Sequence, residues 1–496
     1  MEPGRRRELV FLALAAAACG TLPLLFPADA PWIRDEPALL MAAWNVVHGA
    51  GIPSHGLTGS VGLPYGPAPI LIFSAALVVT HNLVLLVFLR ALFFSLALGV
   101  SVWWLARMCP ALSPPVGVLA MLSPYYWYFG RVLWDNSFVI PFSALTLVIY
   151  ISFCRTQAAW KLWLVALGTV LMFETHLMCL PLLAALVCHF AWQHGAWARK
   201  HAGQCLATAA AGLAACLPYL LYLTRHVSLT EDSSAAATAA SPISRVGAWF
   251  FPLLGGKTFS ALGLGYFFGE KWQNSGPFPA LLWALTVISA LSLLAFWIGC
   301  VVAARLLLRN HRAAGDKPIE FHLWSIVLLT LILQMLMSGV VGTDDHPHYY
   351  NATSFCAFTL LWLAYSEVRN RRWRWTWAGL HAASLLAILL VVIARVHQTQ
   401  GNRSIHYGPT LGTQLEVVRE LDFQNSQTVV FAEASNYCLF PEAFAALETF
   451  YPPHYSAKAP VRRLVVRYAD AHSGAGRLIV SAAGPAPDDR QMTRLR

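Results

Sequence analysis

Long apolar runs alternate with short polar breaks over residues 1–395, and the alternation stops there. A helix needs about 20 apolar residues to cross the hydrocarbon core of a bilayer. Runs that reach or approach this length lie at about 9–26, 82–106, 113–130, 137–154, 160–174, 177–192, 203–223, 280–304, 322–341, 349–366 and 374–394. The pattern therefore predicts about 11 transmembrane helices. A shorter run at 67–80 (PAPILIFSAALVVT) is expected to lie along the outer surface or to re-enter the membrane. From 396 the period changes. TLGTQLEVVREL and PEAFAALETFY read as helices, and QTVVFAEA, VRRLVVRYA and GRLIVSAA read as strands. The expected fold class is a polytopic all-α membrane protein, 1–395, followed by a small α/β domain, 396–496.

Composition agrees with the pattern. Of 496 residues, 57% are hydrophobic and 12% charged, against about 25% charged in soluble domains. That excludes a disordered or nucleic-acid-binding chain and argues against a soluble enzyme. The 19 Trp, 27 Phe and 16 Tyr suit interfacial aromatic belts. The ten Cys show no metal-type spacing and read as small buried hydrophobes, with no disulfide framework.

The net charge of +10 is explained by orientation. With the N-terminus cytoplasmic, the inner segments hold Arg5, Arg6, Arg7; Arg107; Arg155, Lys161; Arg199, Lys200; Arg305, Arg309, Arg312, Lys317; and Arg369, Arg371, Arg372, Arg374. Residues 27–66 hold only Arg34. Lys and Arg accumulate in cytoplasmic loops. Counting 67–80 as a full span would move the later clusters outside, so the charges argue against it. The expected outer segments are 27–81, 224–279 (with the Ser/Ala/Thr-rich SSAAATAASP) and the tail. The chain is expected to be a multi-pass cell-membrane protein with an extracytoplasmic C-terminal domain. The first run also has features of a signal peptide, with a basic start and Ala-Asp-Ala at 28–30, but Pro31 suits cleavage poorly.

Ionisable groups near a membrane are expensive and so mark candidate sites. Four clusters fall on the expected outer side. Asp35 and Glu36 follow the first span, where they could supply a general base or a metal ligand, or simply complement a helix N-terminus. Arg131, Asp135 and Asn136 lie among aromatics in SPYYWYFGRVLWDNSF, a site or a solvated turn. Glu174 and His176 flank Thr175 and could share a proton or a cation, or be a satisfied buried pair. Thr343-Asp344-Asp345-His346-Pro347-His348-Tyr349-Tyr350 could bind a metal, or a phosphate through its histidines, or be a hydrated loop. Arg90, inside LVFLRALFF, could snorkel outward or meet a lipid phosphate. Clusters at one membrane face could hold one lipid-borne anionic substrate and one polar substrate. No Gly-rich phosphate loop follows a strand. Two sequons, Asn351-Ala352-Thr353 and Asn402-Arg403-Ser404, read as chance occurrences.

These segments resemble a known group. The Asp-Glu pair after the first span, the amphipathic PALLMAAWNVVHGAGIP and the later LPYGPAPILI resemble the first outer loop of lipid-linked-sugar glycosyltransferases of the GT-C type. They are most similar to the protein O-mannosyltransferase branch, which includes the bacterial enzymes that add aminoarabinose to lipid A. SPYYWYFGRVLWDNSFVIPFSALTL, FETHLMCLPLL and HPHYYNATSFCAFTLLW resemble later parts of that branch. The resemblance covers about 1–395 and leaves the tail aside.

It implies a polyprenyl-phosphate sugar donor and transfer to a hydroxyl of a glycan, lipid or protein on the outer face, usually with inversion. It makes Asp35 the base, Glu36 its support and Asp135 the second acid, although the local Trp-Asp-Asn departs from many relatives. Arg90, Arg131, His176, His346, His348 and Tyr349 become candidates for the lipid phosphate and substrate. A divalent cation is left open, with Asp35, Glu174 and His176 as candidate ligands. Two rival readings are a transporter or flippase and a polysaccharide polymerase or ligase. The first would favour internal repeats and midplane charges, the second large basic outer loops.

Overall fold

The structure is a computed structural model that describes residues 3–59, 63–226, 278–311, 317–341, 347–403, 407–423, 428–431, 441–452, 463–469, 475–482 and 493–494. Most of the expected outer loop at 224–279, and Asp344, Asp345 and His346, lie outside the described residues. The helices in chain order are α1 Pro3–Cys19, α2 Asp35–Val47, α3 Ala68–Val79, α4 Leu83–Met108, α5 Val118–Met121, α6 Pro124–Arg131, α7 Asn136–Thr156, α8 Ala159–Phe173, α9 Leu180–Lys200, α10 Ala202–His226, α11 Phe278–His311, α12 Ile319–Val341, α13 Asn351–Ser366 and α14 Arg371–Thr399. Polar residues set their starts. Asn82 accepts from the Leu85 N–H at 3.1 Å, Asp135 from the Asn136 N–H at 2.6 Å, and Asn370 from the Arg372 N–H at 2.9 Å, each satisfying an orphan donor of a helix start.

Eight stretches among the described residues are long and apolar enough to cross a membrane: Gly4–Leu24, α4, α7, Leu177–Lys200, α10, Ala290–His311, Ile319–Met337 and α14. Lipid-facing positions are correspondingly apolar. Leu14, Leu96, Leu167, Val187, Leu206, Leu213 and Leu336 are all more than half exposed. Such a surface is stable against hydrocarbon and costly against water.

Three of the about 11 expected runs are not among these eight long helices. Runs 160–174 and 349–366 form helices of 15 and 16 residues, shorter than a full span. The run at 113–130 is not one helix. Pro114, Pro115 and Pro124 lack the N–H that would continue a ladder, so the chain makes a 3-10 turn (Pro114–Gly117), then α5, then α6.

This broken segment still runs the full depth of the bundle, antiparallel to α13. At one end the Ser113 N–H donates to Ser366 Oγ (2.8 Å) and Trp362 Nε1 donates to the Ser113 carbonyl (2.7 Å). At the other the Tyr125 hydroxyl bonds Asn351, whose Nδ2 donates to the Asn136 carbonyl at 3.0 Å. Gly117 permits close approach to both α4 and α13, since a Cβ there would stand 2.6 Å from Val102 Cγ1 and 3.0 Å from Trp362 Cζ2. Helix α3 has 12 residues and at 1.5 Å per residue is about 18 Å long, well short of the ~30 Å core.

The two ends of the bundle differ in charge. At one end the Arg5 guanidinium caps the carbonyls that close α4 (Cys109 O at 3.0 Å), as cations do at helix C-termini. Glu8 pairs there with Arg371 at 3.0 Å. Trp103, Trp104, Trp373, Trp375 and Trp377 lie in the adjoining helix ends. The acidic clusters lie at the opposite end.

The tail docks at that opposite end. It comprises α15 Leu411–Phe423, β1 Thr428–Phe431, α16 Pro441–Phe450, β2 Arg463–Tyr468, β3 Leu478–Ala482 and β4 Thr493–Arg494. The sheet order is β3-β2-β1-β4, with β1 and β2 parallel (Thr428 opposite Arg463) and the outer pairs antiparallel. Trp32 anchors it to the first loop. Trp32 Nε1 donates to the Ala443 carbonyl at 3.0 Å and its own carbonyl accepts from Gln414. The Leu411 N–H donates to the Ala30 carbonyl at 2.8 Å, and the Tyr407 hydroxyl to the Asp29 carbonyl at 2.6 Å. Trp44 of α2 packs edge-on against Phe450 of α16.

Candidate active site

The first turn of α2 separates its two acids. Glu36 is 3% exposed and turns back on the helix start, where Oε2 accepts from the Ile33 N–H at 3.3 Å. Its carboxyl also takes the N–H groups of Arg34 and Glu36 itself, so its geometry is that of an N-terminal cap. Asp35 is half-buried, and among the described residues its carboxyl makes no hydrogen bond. Helix α2 then stops at His48, where Gly49 takes φ +94° and Gly51 φ +84°, left-handed values that glycine adopts without strain.

Asp135, at the start of α7, comes to the same place. It is 1% exposed; Oδ1 caps Asn136, and Oδ2 has no hydrogen-bond partner. Burial pushes the Glu36 and Asp135 carboxyls up to about 8, and each feels the negative charge of Asp35. Burial also raises Asp35, a rise opposed by Arg34. Carboxyls that resist sharing negative charge mark a place prepared for a positive group or a proton.

Tyr65 completes the pocket, lying close to Asp135, Tyr349 and Asp35. Its loop is pinned by the Tyr65 N–H to Leu57 O (2.8 Å), the Gly56 N–H to Tyr65 O (2.7 Å), the Ala68 N–H to Glu174 O (3.3 Å) and the Tyr219 hydroxyl to Pro64 O (2.9 Å). Gly66 crosses directly over the Glu174 backbone, where any Cβ would collide.

The Tyr65 ring covers His176, centroids 4.1 Å apart. His176 is 1% exposed and burial drives its pKa down to about 3, so it is neutral. Nδ1 accepts from the Met178 N–H at 3.1 Å, which leaves the hydrogen on Nε2, a buried donor with no partner. That tautomer suits a hydrogen bond to substrate rather than metal ligation. His348 lies against Trp134, ring centroids 5.0 Å apart, immediately before Tyr349.

Arg90 lies at the head of a separate groove. It sits on α4, is 4% exposed, and donates to Ser137 Oγ in the first turn of α7 at 2.9 Å. Its guanidinium carbon is 4.3 Å from the Phe138 ring centre, and Nε and Nη1 have no partners. It lines a cavity of about 370 Å³ with Ile72, Phe73, Leu86, Phe93, Phe142 and others. Lipid tails can fill such a wall, and a guanidinium at its head suits a phosphate.

Two candidates stand apart from this pocket. The charged neighbours of Arg131 are Asp29 and Tyr407, and it bonds the Phe26 carbonyl at the tail seam. The Glu174 carboxyl faces Cys216 and Tyr219. The oxygen set that could hold a divalent cation is therefore Asp35 with the free oxygen of Asp135, a hard donor set of the kind Mg²⁺ or Mn²⁺ takes. Tyr65 and Asn351 carry no signal of their own in the chain's charge and hydropathy pattern. Tyr65 could have been found from LPYGPAP, a turn-rich loop with a lone aromatic; Asn351 looks there only like part of a sequon. Asn351 and Asn402 are 1% and 0% exposed, so neither sequon is open to modification.

No family model matches the chain, and no curated protein matches it. Among solved structures, the archaeal oligosaccharyltransferase AglB from Archaeoglobus fulgidus, in complex with an inhibitory peptide and a dolichol-phosphate, aligns at a TM-score of 0.44 and 14% identity. The alignment covers 92% of this chain and 61% of that one, so this chain spans under two thirds of the neighbour's length.

Proposed function

We propose that the chain is an integral-membrane glycosyltransferase that moves a sugar from a polyprenyl-phosphate donor to a hydroxyl acceptor. The observation that carries this reading is that Arg90, lining an apolar groove, bonds Ser137 in the first turn of α7, the helix whose start holds Asp135 close to Asp35. The basic loops at the opposite end support an extracytoplasmic location for this pocket, since Lys and Arg favour the cytoplasmic side.

In this reading the prenyl chain lies between α3, α4 and α7, with its phosphate at Arg90 and His348 nearby. The acceptor hydroxyl hydrogen-bonds Asp35. As its oxygen attacks the sugar's anomeric carbon, the proton passes to the Asp35 carboxylate. The bond to the phosphate oxygen breaks on the opposite face, the polyprenyl phosphate leaves, and the anomeric centre inverts. Charge grows on the leaving phosphate, so contacts that strengthen with that charge lower the barrier. His176 Nε2–H and Tyr65 orient the sugar or acceptor. A divalent cation at Asp135 Oδ2 and Asp35 would add positive charge there. The tail, docked on α2, roofs the pocket and is placed to select the glycan, lipid or protein acceptor.

Purified chain in proteoliposomes with a polyprenyl-phosphate-linked radiolabelled sugar tests the reading against envelope extracts of each acceptor class. Label should move from lipid to acceptor, with free polyprenyl phosphate as co-product. A chain that carries the donor across the bilayer without breaking the sugar–phosphate bond would support transport instead.

The pH response follows from the raised carboxyls. Asp35 works as a base only when ionised, and burial holds its pKa above the ordinary value. Below that pKa the rate should fall about tenfold per pH unit, so the acidic limb of kcat/KM lies above that of an ordinary carboxylate. An acidic limb no higher than that of an ordinary exposed carboxylate would count against Asp35 as the base.

A further inference from the structure

A second cluster lies at the basic end of the bundle, away from the acidic pocket. It comprises Cys154 on α7, His189 and His194 on α9, and His322 in the first turn of α12. All four are buried, at 7%, 1%, 4% and 8% exposure, and their ligand atoms all lie within 4.8 Å of one another. Glu320, two residues before His322, lies near Arg5, which places the cluster at the basic end.

We propose that these four side chains form a structural zinc site that ties α7, α9 and α12 together. Four donors around zinc at 2.0–2.3 Å lie about 3.3–3.6 Å apart along the edges of the tetrahedron. His189 Nε2 and His322 Nδ1 are 3.3 Å apart, long for a hydrogen bond and suited to such an edge. The outer contacts also fit. The Tyr150 hydroxyl is 2.9 Å from His189 Nδ1; with the hydrogen on Nδ1 donated to it, the Nε2 lone pair points into the cluster. The same hydroxyl hydrogen-bonds Cys154. Ligating histidines commonly give their other ring hydrogen to such a partner.

Backbone and burial point the same way. Residues five apart on a straight helix lie roughly 140° apart around its axis, so His189 and His194 would diverge. Helix α9 breaks at His194, with φ −118° and ψ 17°. The His194 ring thereby lies 6.0 Å from His189 and stacks 5.6 Å from His322. His194 Nε2 is buried with no hydrogen-bond partner, a cost that a ligated ion would relieve. Sulfur with three imidazoles selects zinc or a neighbouring soft-borderline metal over magnesium or calcium. Four protein ligands leave no open position, the pattern of structural rather than catalytic zinc. Binding converts the Cys154 thiol to thiolate and releases its proton to solvent.

The test uses full-length protein carrying a tag without histidine, purified in detergent, stripped with chelator and reloaded with zinc alone or cobalt alone. About one zinc per chain is expected, together with a thiolate-to-cobalt charge-transfer band that Cys154→Ser abolishes. His194→Ala and His322→Ala should each lower retained zinc at least tenfold while eluting as a single species. Asp35→Asn should retain it, which separates this site from the transfer reaction. Wild-type protein that binds cobalt without a thiolate band, or retains no more zinc than the His189/His194/His322 triple Ala variant, overturns the proposal. The cobalt spectrum needs only the wild type, so it decides the matter even where a variant fails to fold.

Discussion

Asp35→Asn is expected to lower sugar transfer by about 10²–10⁴-fold, the range for loss of a positioned general base, with donor affinity nearly unchanged. Asn has the same shape and cannot take the acceptor's proton. Folding should tolerate the change, because the Asp35 carboxyl makes no hydrogen bond among the described residues and burial already disfavours its charge. Its neighbour supplies the control. Glu36 caps α2, and Gln keeps a side-chain oxygen for that role, so Glu36→Gln should cost less than about tenfold in rate, in line with the modest worth of one cap. Purified variants assayed at saturating and limiting donor separate the two. Equal losses at both positions would mean that the pair acts as one charged unit rather than as base and cap.

Arg90→Met is expected to raise the KM for the lipid-linked donor about 10–100-fold, since a hydrogen bond to a charged group contributes about 1.5–3 kcal/mol. The same change should leave thermal stability intact or raise it. Arg90 has two guanidinium nitrogens without partners among phenylalanine rings, and replacing a poorly paired buried charge with an apolar side chain of similar length is commonly neutral or stabilising. An arginine kept for folding would behave in the opposite way, with the melting temperature falling and donor KM holding. Measuring both on one preparation therefore separates a ligand-binding arginine from a structural one.

Much of the architecture was legible because its signals are local. Hydropathy located the long helices, the positions of Lys and Arg predicted which loops share an end, and period changes located the tail's helices and strands. The structure joins Arg5 to the end of α4 and Glu8 to Arg371, as that charge pattern expects. What hydropathy could not see was continuity. The 113–130 run is apolar throughout, yet its three prolines divide it into turns whose polar groups are satisfied by Ser366, Trp362 and Asn351.

In the site, Asp35, Asp135, His176 and His348 were visible as ionisable residues at helix ends. Charge and spacing could not divide Asp35 from Glu36, which only the resemblance separated, because the division depends on which carboxyl turns back onto the α2 backbone. It could not show that Glu174 faces Cys216 and Tyr219 while Tyr65 faces the acids. The Cys154 cluster was illegible for a stronger reason. Its members come from three helices, those on different helices lying 35 to 168 positions apart by their numbers, and a local break in α9 brings His189 and His194 together.

In the proposed reaction one lipid-phosphate groove, headed by Arg90, feeds the acids at the start of α2 and α7. Photo-crosslinking with a polyprenyl phosphate carrying a diazirine on its first isoprene units tests it most directly. Adducts should map to Ile72, Phe93, Phe138 or Phe142 in the wild type and in Asp35→Asn, and should disappear in Arg90→Met. Adducts on α11 or α14, or labelling indifferent to Arg90, would contradict it.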